Sequence, residues 1–249
     1  MNEIANEFKS LRMPGMAQCW SSLLETRKID ELSFYEGLQL LLQAEKNQRK
    51  ENRNTRLISA ARFRYQVTIE ELNFDAARGL ERGKIMQMAT GEYIKQGAPI
   101  LITGATGTGK SWLGTALGYH ACLMGQKVAY FNIQKLFETI TLHRVEATLS
   151  KFFQKMANMD LLIIDDFGVK VMDGQQLLDF MELIEDRHGR KATIIMSQLA
   201  VADWYNVMLS NTTAADAILD RMVHTAYRFE LKGDTMRKTK NKLNLYFHG

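Results

Sequence analysis

Long apolar runs are missing from this chain of 249 residues. None approaches the roughly 18 residues that a bilayer-spanning helix takes, so a membrane protein is not expected. A secretory leader is not expected either: Met1-Asn2-Glu3-Ile4 has neither a basic start nor an apolar stretch behind it. Cysteine is scarce. Cys19 and Cys122 stand far apart without a CxxC partner, as reduced thiols in a cytoplasmic protein do. There is no internal repeat and no low-complexity tract. Charge of one sign is not in large excess, and a net +4 is too small to name an anionic partner. What is present is ordinary for a globular protein, 46% hydrophobic and 24% charged, with length for one or two domains.

Charge is uneven along the chain. Residues 46–64 hold seven cations, Lys46, Arg49, Lys50, Arg53, Arg56, Arg62 and Arg64, against the single acid Glu51. A second basic run spans Lys232 to Lys242. The first 68 residues read as a small helical domain. Ile4, Phe8 and Leu11 recur at helical spacing, Pro14-Gly15 breaks that helix, and Met16, Trp20, Leu23 and Leu24 suggest another. Ser33 and Glu36 fit a capping box that opens a third, with Leu38, Leu41 and Leu42 as its core face. Its continuation sets Lys46, Arg49, Lys50 and Arg53 on one side. A linker is expected around Thr68 to Gly83, and a second domain covers residues 69–249.

In that second part short apolar runs alternate with helical patterns. The runs are Ile100 to Ile102, Val128 to Phe131, Leu161 to Ile164, Ala192 to Met196 and Ala226 to Phe229. Strands separated by helices predict an α/β fold, a parallel sheet flanked by helices on both faces.

Gly104-Ala105-Thr106-Gly107-Thr108-Gly109-Lys110-Ser111 matches the phosphate-loop pattern Gly-x-x-x-x-Gly-Lys-Ser/Thr in full. A strand precedes it, and an amphipathic helix opening at Trp112 follows. Glycines let backbone N–H groups turn toward phosphate oxygens, and the helix N-terminus adds partial positive charge. Lys110 then reaches the β- and γ-phosphates of ATP, and the Ser111 hydroxyl ligates Mg²⁺. Asp165-Asp166 emerges at the C-terminal end of a buried strand, where ligands bind in open α/β sheets. Asp165 is placed to hold the metal and Asp166 to orient or deprotonate the attacking water. Gln198, closing another strand, is a candidate contact for the γ-phosphate or that water. In Asp216 to Met222, Ile218, Leu219 and Met222 form an apolar face that leaves Arg221 pointing elsewhere. Arg221 is either an arginine finger supplied to a neighbouring subunit or a helix arginine that is solvated or salt-bridged to Asp220.

These blocks resemble the IstB-type helper ATPases of insertion sequences, kin of the DnaC helicase loaders within the AAA+ class, over nearly the whole chain. The likeness rests on residues 104–111, Asp-Leu-Leu-Ile-Ile-Asp-Asp-Phe-Gly at 160–168, Thr-Ile-Ile-Met-Ser-Gln at 193–198 and Asp-Ala-Ile-Leu-Asp-Arg-Met-Val-His at 216–224. It implies Walker A roles for Lys110 and Ser111 and Walker B roles for Asp165 and Asp166. It also implies sensor 1 at Gln198, the finger at Arg221 and sensor 2 at Arg237, in Thr235-Met236-Arg237-Lys238. After Arg221 only 28 residues remain, too few for the helical lid that many AAA+ proteins carry and in keeping with a lidless form. In the long crossover 132–158 the resemblance implies an extra helical element facing nucleic acid, with Arg144, Lys151 and Lys155 as candidate phosphate contacts.

The resulting expectation is an ATP-dependent homo-oligomer with ATP and Mg²⁺ at subunit interfaces. It would bind duplex DNA largely without regard to sequence and assist a cognate transposase. A replicative helicase loader is the alternative on the same fold. A monomeric small-molecule kinase is the alternative from another class, and it leaves residues 216–224 without a role.

Overall fold

A computed structural model of the chain describes residues 3–235. The chain divides into two compact units, residues up to Arg56 and residues from Leu57 on. The division falls inside one helix, ahead of the expected linker.

In the first unit α1 (Glu3–Ser10) packs on α2 (Pro14–Glu25), and a short 3-10 turn leads to α3 (Phe34–Ala61). Pro14, expected to break a helix, also opens the next one, since its fixed φ and missing N–H cost nothing at a first position. The capping box at the head of α3 forms: Glu36 accepts from the Ser33 amide at 2.9 Å, and the Ser33 hydroxyl accepts from the Glu36 amide at 3.3 Å. Glu45, buried on α3, accepts the Gly15 amide at 2.9 Å and the Met16 amide at 3.3 Å, so a carboxylate from one helix caps the positive end of another. Only Leu41 of the three leucines expected in the core is buried; Leu38 and Leu42 are 40% and 45% exposed. Ala44 and Glu45, one turn on, take the stripe that faces α2.

The second unit begins with the last turn of α3. Val67, Ile69, Leu72 and Leu80 are buried in its core, so the expected linker segment is packed structure. After α4 (Arg82–Ala89) and α5 (Glu92–Lys95) come β1 (Ile100–Gly104), α6 (Lys110–Leu123), β2 (Val128–Asn132), α7 (Ile133–Val145), α8 (Leu149–Ala157) and β3 (Leu161–Phe167). Then follow α9 (Gly174–Arg187), β4 (Ala192–Ser197), α10 (Thr212–Val223) and β5 (Tyr227–Leu231). The strands form one parallel sheet in the order β2-β3-β4-β1-β5. Alternation along each strand feeds two cores. Ile100, Ile102, Leu161, Ile163, Ile194 and Met196 pack toward α4 and α6; Leu101, Leu162, Ile164 and Ile195 pack toward α7 to α10. The sheet is thus covered on both faces, which is why its inner strands read as apolar runs, while edge strand β5 alternates, with Arg228 and Glu230 exposed.

One buried cation holds the lower edge together. Arg187, at the end of α9, donates from Nε to the Thr193 hydroxyl at 3.1 Å. It also donates from Nη1 to the carbonyls of Met156 at 2.5 Å and Met159 at 2.9 Å, and from Nη2 to that of Ala192 at 2.5 Å. Burial pushes its pKa down to about 10. Arg187→Leu strands these carbonyls in a dry site. The expected cost is about 2–4 kcal/mol, from unmade bonds of roughly 1–3 kcal/mol each. Thermal unfolding followed by circular dichroism should show a midpoint lower by roughly 5–15 °C; an unchanged midpoint refutes this role.

Candidate nucleotide site

β1 delivers the loop and α6 receives it. Gly104, Gly107 and Gly109 have φ of 146°, 87° and 104°, which side chains rarely tolerate. Space is also lacking: an added Cβ would lie 2.2 Å from the Leu231 carbonyl oxygen at Gly104 and 2.1 Å from the Thr235 hydroxyl oxygen at Gly107. A glycine stands at the head of α6, so the positive end of that helix points into the loop. Lys110 is buried, and its ammonium donates to the Gly104 and Ala105 carbonyls at 2.7 and 2.9 Å. Thr108 donates to the Ala105 carbonyl at 2.8 Å. Gln198, exposed at the end of β4, accepts the Thr106 hydroxyl at 2.7 Å, so the strand-closing amide and the loop tip come together. Ser111 and Trp112 are half-buried on the first turn of α6.

The two carboxylates sit on an irregularity. β3 and β4 pair Ile164 with Ile195 and then Phe167 with Ser197, so two residues of β3 stand opposite one of β4. Such a bulge re-aims side chains. Asp166 occupies it with φ of 58°. Asp165 is buried, with Oδ1 accepting the Asp166 amide at 2.8 Å and Oδ2 the Tyr130 hydroxyl at 2.5 Å. Burial, then the Asp165 charge, pushes the Tyr130 phenol upward, so it stays a donor. Asp166 Oδ2 accepts the Asn132 amide at 2.8 Å and lies 3.9 Å from Arg64 Nη1. Asn132 also caps α7, accepting the Gln134 amide at 3.0 Å, which sets the orientation of its side chain. Burial first, then the Asp165 charge, raises the Asp166 pKa against the pull of Arg64, Asn132 and Lys110. A carboxylate so shifted is a better proton acceptor.

Tyr130, Asn132 and Arg64 were not legible as partners of these carboxylates. The signal that could have found the first two is the parallel register, which sets Asn132 beside Asp165 and Tyr130 beside Ile163. Nothing in the spacing could have placed Arg64.

Arg221 lies elsewhere. It ion-pairs with Glu185, donates to the Ala217 carbonyl at 2.9 Å, and lines a small cavity with Pro99, Lys191 and Thr193. Those last three mark the N-terminal ends of β1 and β4, whereas the glycine loop and Asp165 mark the C-terminal ends. Five or six strand residues at ~3.3 Å each separate the two ends. Arg237 lies outside the described residues.

Of the basic candidates, Lys46, Arg49, Lys50, Arg53 and Arg56 are exposed on α3, with Arg49 bonded to Glu45 at 2.7 Å. Arg62 is exposed just past the end of that helix. The long crossover is two helices, α7 and α8. Lys151 and Lys155 are exposed on α8, but Arg144 is bonded at 2.5 Å to Asp179, a buried carboxylate that needs a charge partner. Arg64 turns to Asp166.

A cradle that any Cβ would fill, closed by a lysine and a helix N-terminus, suits phosphate oxygens. Ser111 and Asp165 supply hard oxygen donors of the kind Mg²⁺ takes alongside nucleotide phosphates. Among the described residues no cluster of three or more His, Cys, Asp or Glu stands ready for a metal held by protein alone.

Sheet order, loop and carboxylates together define a P-loop ATP-binding protein of the AAA+ class. Residues 6–244 match the family described as IstB-like ATP binding protein, and the chain belongs to that family. It is 35% identical over 237 residues to a Sinorhizobium fredii protein named as an insertion sequence ATP-binding protein, covering 95% of this chain and 96% of that one. It is 28% identical over 243 residues to the one named for insertion sequence IS21 of Pseudomonas aeruginosa, covering 97% and 91%. Its fold is similar to the crystal structure of the DnaC helicase loader, with TM-score 0.54 and 19% identity, covering 71% of this chain and 99% of that one. It is also similar to AMPPCP-bound DnaA from Aquifex aeolicus, with TM-score 0.59 and 20% identity, covering 75% and 57%. Among the described residues no helix is long and apolar enough to cross a membrane.

Proposed function

We propose that this chain hydrolyses ATP as a homo-oligomer on duplex DNA and assists a transposase in selecting and remodelling target DNA. The observation that carries the reading is the split site: Lys110, Asp165 and Asp166 gather at one end of the sheet while Arg221 stands at the other. Only a neighbouring copy can bring such an arginine to the nucleotide. The insertion-sequence names of the relatives support a transposition role. The exposed cations of α3 support DNA binding through phosphates, with little reading of bases.

In this reading the loop amides and Lys110 hold the triphosphate, and Ser111 and Asp165 hold Mg²⁺. The metal, when bound, neutralises charge on the β- and γ-phosphates. Tyr130, through its hydroxyl, fixes one oxygen of the Asp165 carboxylate. Asp166 accepts the proton of the attacking water, and Gln198 orients the γ-phosphate end. Arg221 of the adjacent copy stabilises the charge that develops there and thereby ties assembly to ATP. Domain roles follow: the N-terminal helices meet DNA and partner, and the remainder is the ATPase.

Lys110→Ala should weaken binding of a fluorescent ATP analogue by roughly 10–100-fold, the loss of a charged bond worth about 1.5–3 kcal/mol. Retained affinity would remove the phosphate reading. For the function as a whole, light scattering and imaging with duplex DNA and ATP, ADP or no nucleotide should show ATP-dependent assembly on DNA that weakens steeply with salt. Pull-down with an insertion-sequence transposase tests the partner. A helicase loader remains the second reading, favoured by the likeness to DnaC. Capture of a replicative helicase with no transposase association would favour it.

A further inference from the structure

The basic run that begins on α3 ends somewhere other than a solvent face. α3 stops at buried Ala61, Arg62 turns the chain with φ of 56°, and Phe63-Arg64-Tyr65 run as a strap along the nucleotide site. Both aromatic neighbours of Arg64 are anchored on that site. Phe63 meets Tyr130 edge-on, with 6.3 Å between ring centres, and sits where Gly118 of α6 leaves room: a Cβ there would lie 2.8 Å from its ring. Tyr65 lies 5.5 Å from Trp112, the residue after Ser111. Between these anchors the Arg64 guanidinium lies over the Tyr65 ring at 5.4 Å, with Nη1 3.9 Å from Asp166 Oδ2. That oxygen also accepts the Asn132 amide.

We infer that Arg64 is a positioning residue for ATP hydrolysis and not a DNA contact: it keeps the Asp166 carboxylate engaged while the protein is off DNA. Nucleic acid bound along α3 withdraws it through the strap. The inference rests on reading Asp166 as the carboxylate that activates water and α3 as the DNA-binding helix. A carboxylate oxygen that accepts one amide and faces a guanidinium has fewer lone-pair directions left for an attacking water than one that faces the amide alone. The pair is also suited to release. Arg64 and Asp166 side chains are 51% and 32% exposed, and so open an ion pair is weak and easily exchanged. The aromatic anchors, by contrast, are apolar contacts. A displacement of the helix end therefore reaches Arg64 directly, since only Arg62 and Phe63 lie between it and Ala61.

The test uses the full chain as wild type, Arg64→Ala, Arg64→Lys and Asp166→Asn. It measures ATP-analogue affinity, DNA affinity across a salt series, and hydrolysis with and without duplex DNA. Arg64→Ala should raise kcat without DNA by about 2–5-fold, the range a half-exposed ion pair controls, with KM and ATP affinity unchanged. Its rate at saturating DNA should equal that of wild type, so stimulation shrinks by the same factor. The salt dependence of its DNA binding should not change, and Arg64→Lys should restore wild-type behaviour. A DNA-free rate that stays level or falls at unchanged ATP affinity overturns the inference. So does a salt slope shallower by about one, which returns Arg64 to the DNA phosphates. Wild type without DNA stimulation overturns the coupling. If Asp166→Asn hydrolyses ATP at the wild-type rate, the reading of Asp166 fails and the inference with it. If Asp166→Asn is inactive while Arg64→Ala matches wild type, the inference alone fails.

Discussion

Arg221→Ala is expected to lower ATP hydrolysis by about three to five orders of magnitude, the effect of removing an arginine finger, while leaving each subunit's own affinity for ATP within about twofold. The reasoning is geometric. The guanidinium is held by Glu185 and the Ala217 carbonyl beside Pro99, Lys191 and Thr193, at the foot of the sheet. The glycine loop is at its head. No rotamer of Arg221 spans a strand length of roughly 17–20 Å, so removing it cannot disturb ATP held by the same subunit. Nucleotide-dependent assembly, followed by sedimentation, should fall together with hydrolysis. A variant that assembles and turns over like wild type would leave Arg221 as a helix arginine paired with Glu185.

Asp166→Asn is expected to lower kcat by about two to four orders of magnitude, the range for a positioned general base, with ATP affinity retained or improved. Burial and the adjacent Asp165 charge raise its pKa, which poises it to accept a proton, and an amide cannot take up that role. The two inactive variants then test each other. A mixed oligomer of Arg221→Ala and Asp166→Asn contains interfaces that join an intact carboxylate to an intact finger. Activity should return to about a quarter of wild type if subunits mix at random and the finger acts in trans. Mixing that restores nothing would confine each residue to its own subunit.

The fold was largely readable because its signals are local. Four apolar runs and a fifth, Ala226 to Phe229, that carries Arg228, each separated by a helical pattern, leave few arrangements besides a parallel sheet. The glycine loop was readable for the same reason: a left-handed turn at the mouth of a helix restricts residue type at set positions within eight consecutive residues. The helical start read less well. The periodicity of α3 predicts which leucines share a side, but Leu38 and Leu42 are exposed while Leu41 is buried, and α2 meets α3 at Ala44-Glu45. The segment 68–83, polar and glycine-bearing, read as a linker, yet Ile69, Leu72 and Leu80 are core.

Charged residues were the hardest to place. Seven cations in a row of nineteen residues look alike in sequence, but Arg64 meets Asp166 and Arg49 meets Glu45, while Lys46, Lys50, Arg53, Arg56 and Arg62 are exposed without an ion pair within 4 Å among the described residues. Arg144, expected at a DNA phosphate, answers to Asp179. A guanidinium reaches its partner through a long flexible stem, and the partner's position is set by elements far away in the chain.

The chain of residues alone therefore determined the class of fold, the phosphate cradle and the carboxylate pair, since each depends on short-range rules of backbone conformation and side-chain alternation. Tertiary structure decided which groups hold those carboxylates and how far Arg221 lies from them. It also decided which basic side chains remain available to an anion, because distances between strands and the pairing of charges arise only when separate segments pack.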